Sequence, residues 1–135
     1  MATQFSVAVR NAELDAIETA IGASPILRMR TGAPPANAAA ADTGTVIAEM
    51  TLPADWMAAA ASGSKAKSGT WQDLSADAAG TIGHYRIYDS GGSTCHIQGT
   101  VTITGGGGDM TVQDDDVEAG QEITVTSYTF TAGNA

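Results

Sequence analysis

The sequence predicts a mainly β fold: an antiparallel β-sandwich, jelly-roll-like, of six to eight strands with one N-terminal α-helix. Three observations lead there. Short runs of strict alternation recur, as in GHYRIYD at 83–89 and CHIQGTVTIT at 95–104. Glycine- and serine-rich turns separate them. Helical periodicity is confined to residues 6–22. At 135 residues the chain is one domain, and 43% apolar residues suffice for a core. The abundance of alanine points to a core of small side chains. No 20–50-residue repeat is present.

Residues 6–22 form the helix because Val7, Leu14, Ile17 and Ile21 fall on one stripe, with Arg10, Glu13 and Glu18 outside it. Ser6 suits the N-cap, Gly22 the C-cap, and Pro25 stops continuation. ILRMRT at 26–31 and TVIAEMTL at 45–52 alternate as half-buried strands. Between them, 32–44 holds Pro34-Pro35 and an alanine run, which reads as an extended arm. Trp56 belongs at the edge of the core. Residues 58–69 are Ser/Gly/Lys-rich and read as a mobile loop, followed by a short strand over 69–72.

The second half is plainer. The apolar parities of 83–89 and 95–104 match only if an odd number of residues, Ser90 to Gly92, connects them. That register pairs Ile87 with Cys95, Tyr85 with Ile97, Arg86 with His96 and His84 with Gln98. It places a glycine in the left-handed region and both histidines on the outer face. Gly105–Gly108 is a hinge, 109–112 a short strand, 113–120 an acidic turn and 121–131 the last strand. The apolar parity of that strand switches from Val125 to Tyr128, which predicts a bulge near Ser127.

Six bases against fifteen acids give a net charge of -9. Such a surface repels phosphate backbones and anionic lipid heads, so neither nucleic acid nor membrane is an expected partner. MATQFSVAVRNAE lacks the basic and apolar runs of a secretory leader, so synthesis in a cytoplasm is expected. Cys95, the lone cysteine, sits in a strand pattern as a small buried hydrophobe. Asp114, Asp115 and Asp116, with Asp109, could hold calcium but lack EF-hand spacing, and a solvated turn is the plainer reading. His84 and His96 have no third ligand beside them. GGGG lacks the Lys-Ser/Thr of a phosphate loop, and no serine sits in a nucleophile elbow. The expectation is therefore no enzyme, no metal and no cofactor. The segments expected to reach neighbours are the helix, through Val7, Leu14, Ile17 and Ile21, the arm, through Pro34 and Pro35, and the loop, through Lys65 and Lys67.

Residues 9–36 (VRNAELDAIETAIGASPILRMRTGAPPA), 52–71 (LPADWMAAAASGSKAKSGTW), 83–101, GGGGDM at 105–110 and GQEITVTSYTFTAGN at 120–134 resemble small virion-associated proteins of tailed bacteriophages and prophages. The likeness spans essentially the whole chain. It implies a structural protein made in the bacterial host cytoplasm and built into the virion. The first form of that expectation is a capsid decoration or cement protein bridging major capsid protein subunits, homo-oligomeric in the particle. The second is a tail, neck or baseplate adaptor. A third reading, independent of the resemblance, is a carbohydrate-binding module with Trp56, Trp71 or Tyr88 as its platform.

Overall fold

Helix α1 (Val7–Ile21) begins where the Ser6 hydroxyl accepts the Val9 N–H at 3.3 Å. It ends at Gly22, whose φ of 91° only glycine adopts freely and whose N–H bonds the Glu18 carbonyl. Pro25 then leads into β1 (Ile26–Thr31). The other strands are β2 (Val46–Thr51), β3 (Ser64–Ala66), β4 (Gln72–Asp73), β5 (Gly80–Tyr88), β6 (Cys95–Ile103), β7 (Met110–Val112), β8 (Asp116–Val117) and β9 (Ile123–Thr131). This is a computed structural model, and it describes residues 2–135.

The strands join in one curled, mixed sheet, a half-barrel, in the order β2-β1-β5-β6-β7-β9-β3, with β4 on β9 and β8 on β5. The mainly β class and the single helix agree with the sequence reading. The sandwich and jelly-roll are not confirmed, because the ladders run through a single sheet, and the wholly antiparallel expectation fails at β6 and β7. These two run parallel, Val101 opposite Met110 and Ile103 opposite Val112. Parallel neighbours normally need a crossover of about a dozen residues. Here residues 104–109 suffice because Gly106 and Gly108 let the chain double back against Thr102. A Cβ on Gly108 would lie 2.8 Å from the Thr102 backbone nitrogen. The Gly108 N–H instead bonds Thr102 Oγ1 at 2.9 Å.

The concave face carries rows such as Leu27, Ile87 and Ile97 across β1, β5 and β6. The core is aromatic and methionine-rich rather than small. Both Trp and all three Tyr are buried, as are Met29, Met50, Met57 and Met110. Trp56, Trp71, Tyr128 and Phe130 form a chain of rings at centroid distances of 6.0, 5.6 and 5.0 Å. The alanine-rich segments lie mostly outside this cluster.

The two register expectations have different outcomes. Near Ser127 the bulge exists: Thr111 faces Ser127 but Val112 faces Val125, so Thr126 is the extra residue. The odd 90–92 connection does not. Ile87 pairs with Ile97, Arg86 with Gln98 and His84 with Thr100, while Tyr88 pairs with Cys95. The Asp89 N–H bonds the Thr94 carbonyl, leaving an even loop, 90–93, with Gly92 at φ 71°. Parity is restored by a bulge at His96, which a turn-length argument could not separate from an odd loop.

Both expected arms are folded in. Residues 58–69 are not a mobile loop, since β3 pairs with β9 within them. The 32–44 segment lies back over the convex face of β5. The acidic turn contains β8, which pairs Gly80 with Val117.

Candidate functional site

Three of the six bases gather on the convex face. Arg28 of β1 sits opposite Arg86 of β5, and Arg30 opposite His84. Period two puts them on one side, and the 32–44 segment covers Arg30 and Arg86. Arg86 is 1% exposed. Its Nη2 donates to the Ala38 and Ala40 carbonyls at 2.7 and 3.0 Å, and its Nε to Cys95 Sγ at 3.1 Å. Its Nη1 lies 2.9 Å from Asp42 Oδ1 in an ion pair whose geometry is not that of a hydrogen bond. Asp42 also accepts from Arg30 Nη2 at 3.1 Å and from the Tyr88 hydroxyl at 2.5 Å. The site is a clamp: one carboxylate and two carbonyls of the arm gripped by two guanidinium groups. A shallow cavity of about 490 Å³ lies beside it, lined by Ala38–Asp42, Tyr88 and Cys95.

The sequence reading placed these groups differently. Pro34 and Pro35 are half-buried against the protein's own sheet, where the Pro35 carbonyl accepts from Gln98 Nε2 at 2.6 Å. His84 is fully buried, not exposed, and its Nδ1 carries the proton to the Gly32 carbonyl at 2.9 Å. His96 is exposed on its bulge and is not a cross-strand neighbour of His84. Cys95 is half-buried and accepts from Arg86 rather than filling the core. Asp42 carried no signal in the sequence. The clustering of Arg28, Arg30 and Arg86 was the available clue, because buried cations on paired strands require an acceptor from the nearest covering segment.

A second constellation fixes α1. Asn11, Asp15 and Glu18 stand on successive turns and accept the N–H groups of Gly63, Ala60 and Met57 at 2.9, 3.0 and 2.8 Å. Lys65, 1% exposed, bonds Asp15 at 2.7 Å and the Ala58 carbonyl at 2.9 Å, with Glu18 at 3.2 Å. So Lys65 is an internal tie, not an outward contact. Lys67 lies 5.9 Å from the Trp71 ring and caps the Gly69 carbonyl. On the apolar stripe, Leu14 is buried and Ile17 and Ile21 half-buried, but Val7 is 46% exposed. A polar stripe, as much as the apolar one, docks this helix.

Between α1 and the sheet is a cavity of about 420 Å³ whose lining includes Leu14, Ile17, Tyr85, Gln98, Asp109, Tyr128 and Phe130. The Tyr85 and Tyr128 hydroxyls lie 2.7 Å apart. Trp56, Trp71 and Tyr88 are buried and cannot serve as sugar platforms. Among the described residues no three His, Cys, Asp or Glu side chains are grouped as metal ligands, and no helix is long and apolar enough to cross a membrane. Asp114 accepts from the Asp116 N–H and from Gln121, while Asp109 accepts from Thr100.

These contacts give the fold a pH profile. Burial pushes the Asp42 carboxyl up, but the Tyr88 hydroxyl and the Arg30, Arg86 and Arg28 charges outweigh it and hold it low. Hydrogen bonds from Lys65 and Ala60 lower Asp15, and those from Ser93 and Thr94 lower Asp89. A carboxyl held low in the fold stabilises above its unfolded value, near pH 4, and that stability is lost as pH falls through the folded value. Burial pushes Tyr85 up to about 12, so its contribution is complete below about pH 10 and is lost between there and 12. Thermal melts across pH should therefore show a plateau with an acid and an alkaline fall. Asp42→Asn should flatten part of the acid limb, and an unchanged limb would refute the assignment.

No protein-family model, curated protein or solved structure matches the chain.

Proposed function

We propose that this protein is a non-enzymatic structural component of a bacteriophage virion, a capsid decoration or cement protein that bridges neighbouring shell subunits. It is made in the host cytoplasm and acts in many copies in the particle. The resemblance of its segments to small virion proteins motivates the reading. One observation supports it beyond that. Phe5, Val7 and Val9 stand 36, 46 and 46% exposed at the start of α1, while the clamps at Arg86 and Lys65 tie the expected arms inward. Exposed apolar side chains on both sides of the first helical turn are a natural place for a neighbour that wraps the helix start. Phe5 is joined to the segment after β9, its N–H bonding the Asn134 carbonyl at 2.6 Å. Repeated symmetric neighbours make a small contact of this kind sufficient.

The test is a quantitative mass-spectrometric count in particles assembled with the protein. Hundreds of copies support the shell; six or twelve move it to the tail, neck or baseplate; absence ends the reading. Val7→Asp with Val9→Asp should leave the melting temperature nearly unchanged, as exposed substitutions do, yet abolish incorporation. Normal incorporation of that variant would remove the start of α1 from the interface.

A further inference from the structure

We propose that the cavity between α1 and the sheet, floored by Tyr85 and Tyr128, is a binding site for a neutral saccharide ring. Both tyrosines are 3% exposed. Burial pushes both phenols well above their ordinary value, so both keep their protons at neutral pH. The pair holds two donors and shares one hydrogen bond, of 2.7 Å. The remaining O–H has no protein acceptor among the described residues. A buried hydroxyl needs a partner, and this one lies at the floor of a cavity of about 420 Å³.

The neighbours specify the partner. Asp109 holds Thr100 through Oδ2 and sits close to the Tyr85 hydroxyl; both lie 2.8 Å from where a Cβ on Gly99 would be. The lining thus offers one donor, the free phenol O–H, and one acceptor, the Asp109 carboxylate, so the ligand must both accept and donate. Asp109 disfavours an anion, and the phenol donor disfavours a cation. The half-buried Phe130 ring with Leu14 and Ile17 supplies the apolar wall. A ring that bears hydroxyls and an apolar C–H face meets all of these demands, and the volume falls in the range of small-molecule sites, about 300–1,000 Å³. This inference does not rest on the virion reading, and either can fail alone.

The test is an NMR titration of the full chain with neutral sugars: the methyl glycosides of glucose, galactose and mannose, N-acetylglucosamine, and cellobiose and maltose. At least one should shift the Gly99, Asp109 and Thr129–Thr131 amides, with a dissociation constant on the order of millimolar. Tyr128→Phe and Tyr85→Phe keep the ring packing and should each weaken it about five- to tenfold. Asp109→Asn provides a third variant, at an exposed position, should either phenylalanine variant fail to fold. Cyclohexanol is the apolar control. No shifts with any of these sugars at concentrations roughly tenfold above millimolar would overturn the proposal. So would shifts confined to other surfaces, equal affinity in folded variants, or cyclohexanol binding at the site where no sugar binds.

Discussion

Arg86→Ala is expected to destabilise the protein by about 3–5 kcal/mol, mainly through loss of the buried guanidinium's bonds to the Ala38 and Ala40 carbonyls, at about 1.5–3 kcal/mol each. For a domain of this size that is a fall in melting temperature of about 10–20 °C. The mechanism is local. Arg86 joins the arm to the sheet at three points, Ala38, Ala40 and Asp42. Without it, Asp42 keeps only Arg30 and Tyr88, and the two carbonyls turn to water. Arg28→Ala is the control. Arg28 bonds Glu49 at 2.6 Å, but their side chains are 23 and 45% exposed, and an exposed pair contributes about 0–1 kcal/mol. Thermal unfolding gives the magnitude, and hydrogen exchange at 38–42 gives the place: those amides should exchange faster in Arg86→Ala and not in Arg28→Ala. If the two variants melt together, the arm is not held by this clamp.

How far these features could be read from the sequence depends on where their cause lies. The helix and strands such as ILRMRT were legible because periodicity and capping are local. The β3 strand was not. Ser64–Ala66 has no alternation, and it is a strand only because Thr129–Thr131 of β9 offers an edge and Lys65 a buried counter-charge to Asp15. The same holds for Asp116–Val117, whose acidic surroundings resemble a turn. Pairing supplied from a distance leaves no local trace.

The core was misjudged for a related reason. Average composition suggested small residues, yet the aromatics are few and all but the two Phe are buried. Their position, not their number, sets the core. Charge misled in the opposite direction. Arg30 and Arg86 look like solvated residues in a strand pattern and Lys65 like a loop residue, because neither a single strand nor a loop reveals the segment that will cover it. The Tyr85–Tyr128 floor was invisible, since the two lie on strands separated in the sheet by β6 and β7.

Gly83→Ala tests the same covering segment from its backbone. Arg30 faces His84 and Thr31 faces Ile82, so Gly83 is the unpaired residue of a bulge in β5. The backbone of Gly32, the first residue of the arm, lies directly on it. A Cβ at 83 would overlap the Gly32 carbonyl oxygen and sit 2.9 Å from its carbon. No side-chain rotation relieves a clash with a carbonyl that His84 Nδ1 already holds at 2.9 Å. The end of β1 must move, or the bulge must close and turn His84 and Arg86 to the wrong side. The expected loss is about 3 kcal/mol or more, at the upper end of overpacking. Gly105→Ala supplies the comparison, because Gly105 has a φ of 87° and nothing within 4 Å of its Cβ position. Only left-handed strain of about 1–2 kcal/mol applies there. Chemical denaturation of the two variants separates packing from strain, and the histidine nitrogen resonances report whether His84 keeps its Nδ1 proton. Gly83→Ala should cost more than Gly105→Ala and should disturb His84. Equal costs with an unperturbed imidazole would mean that the arm does not lie on the bulge.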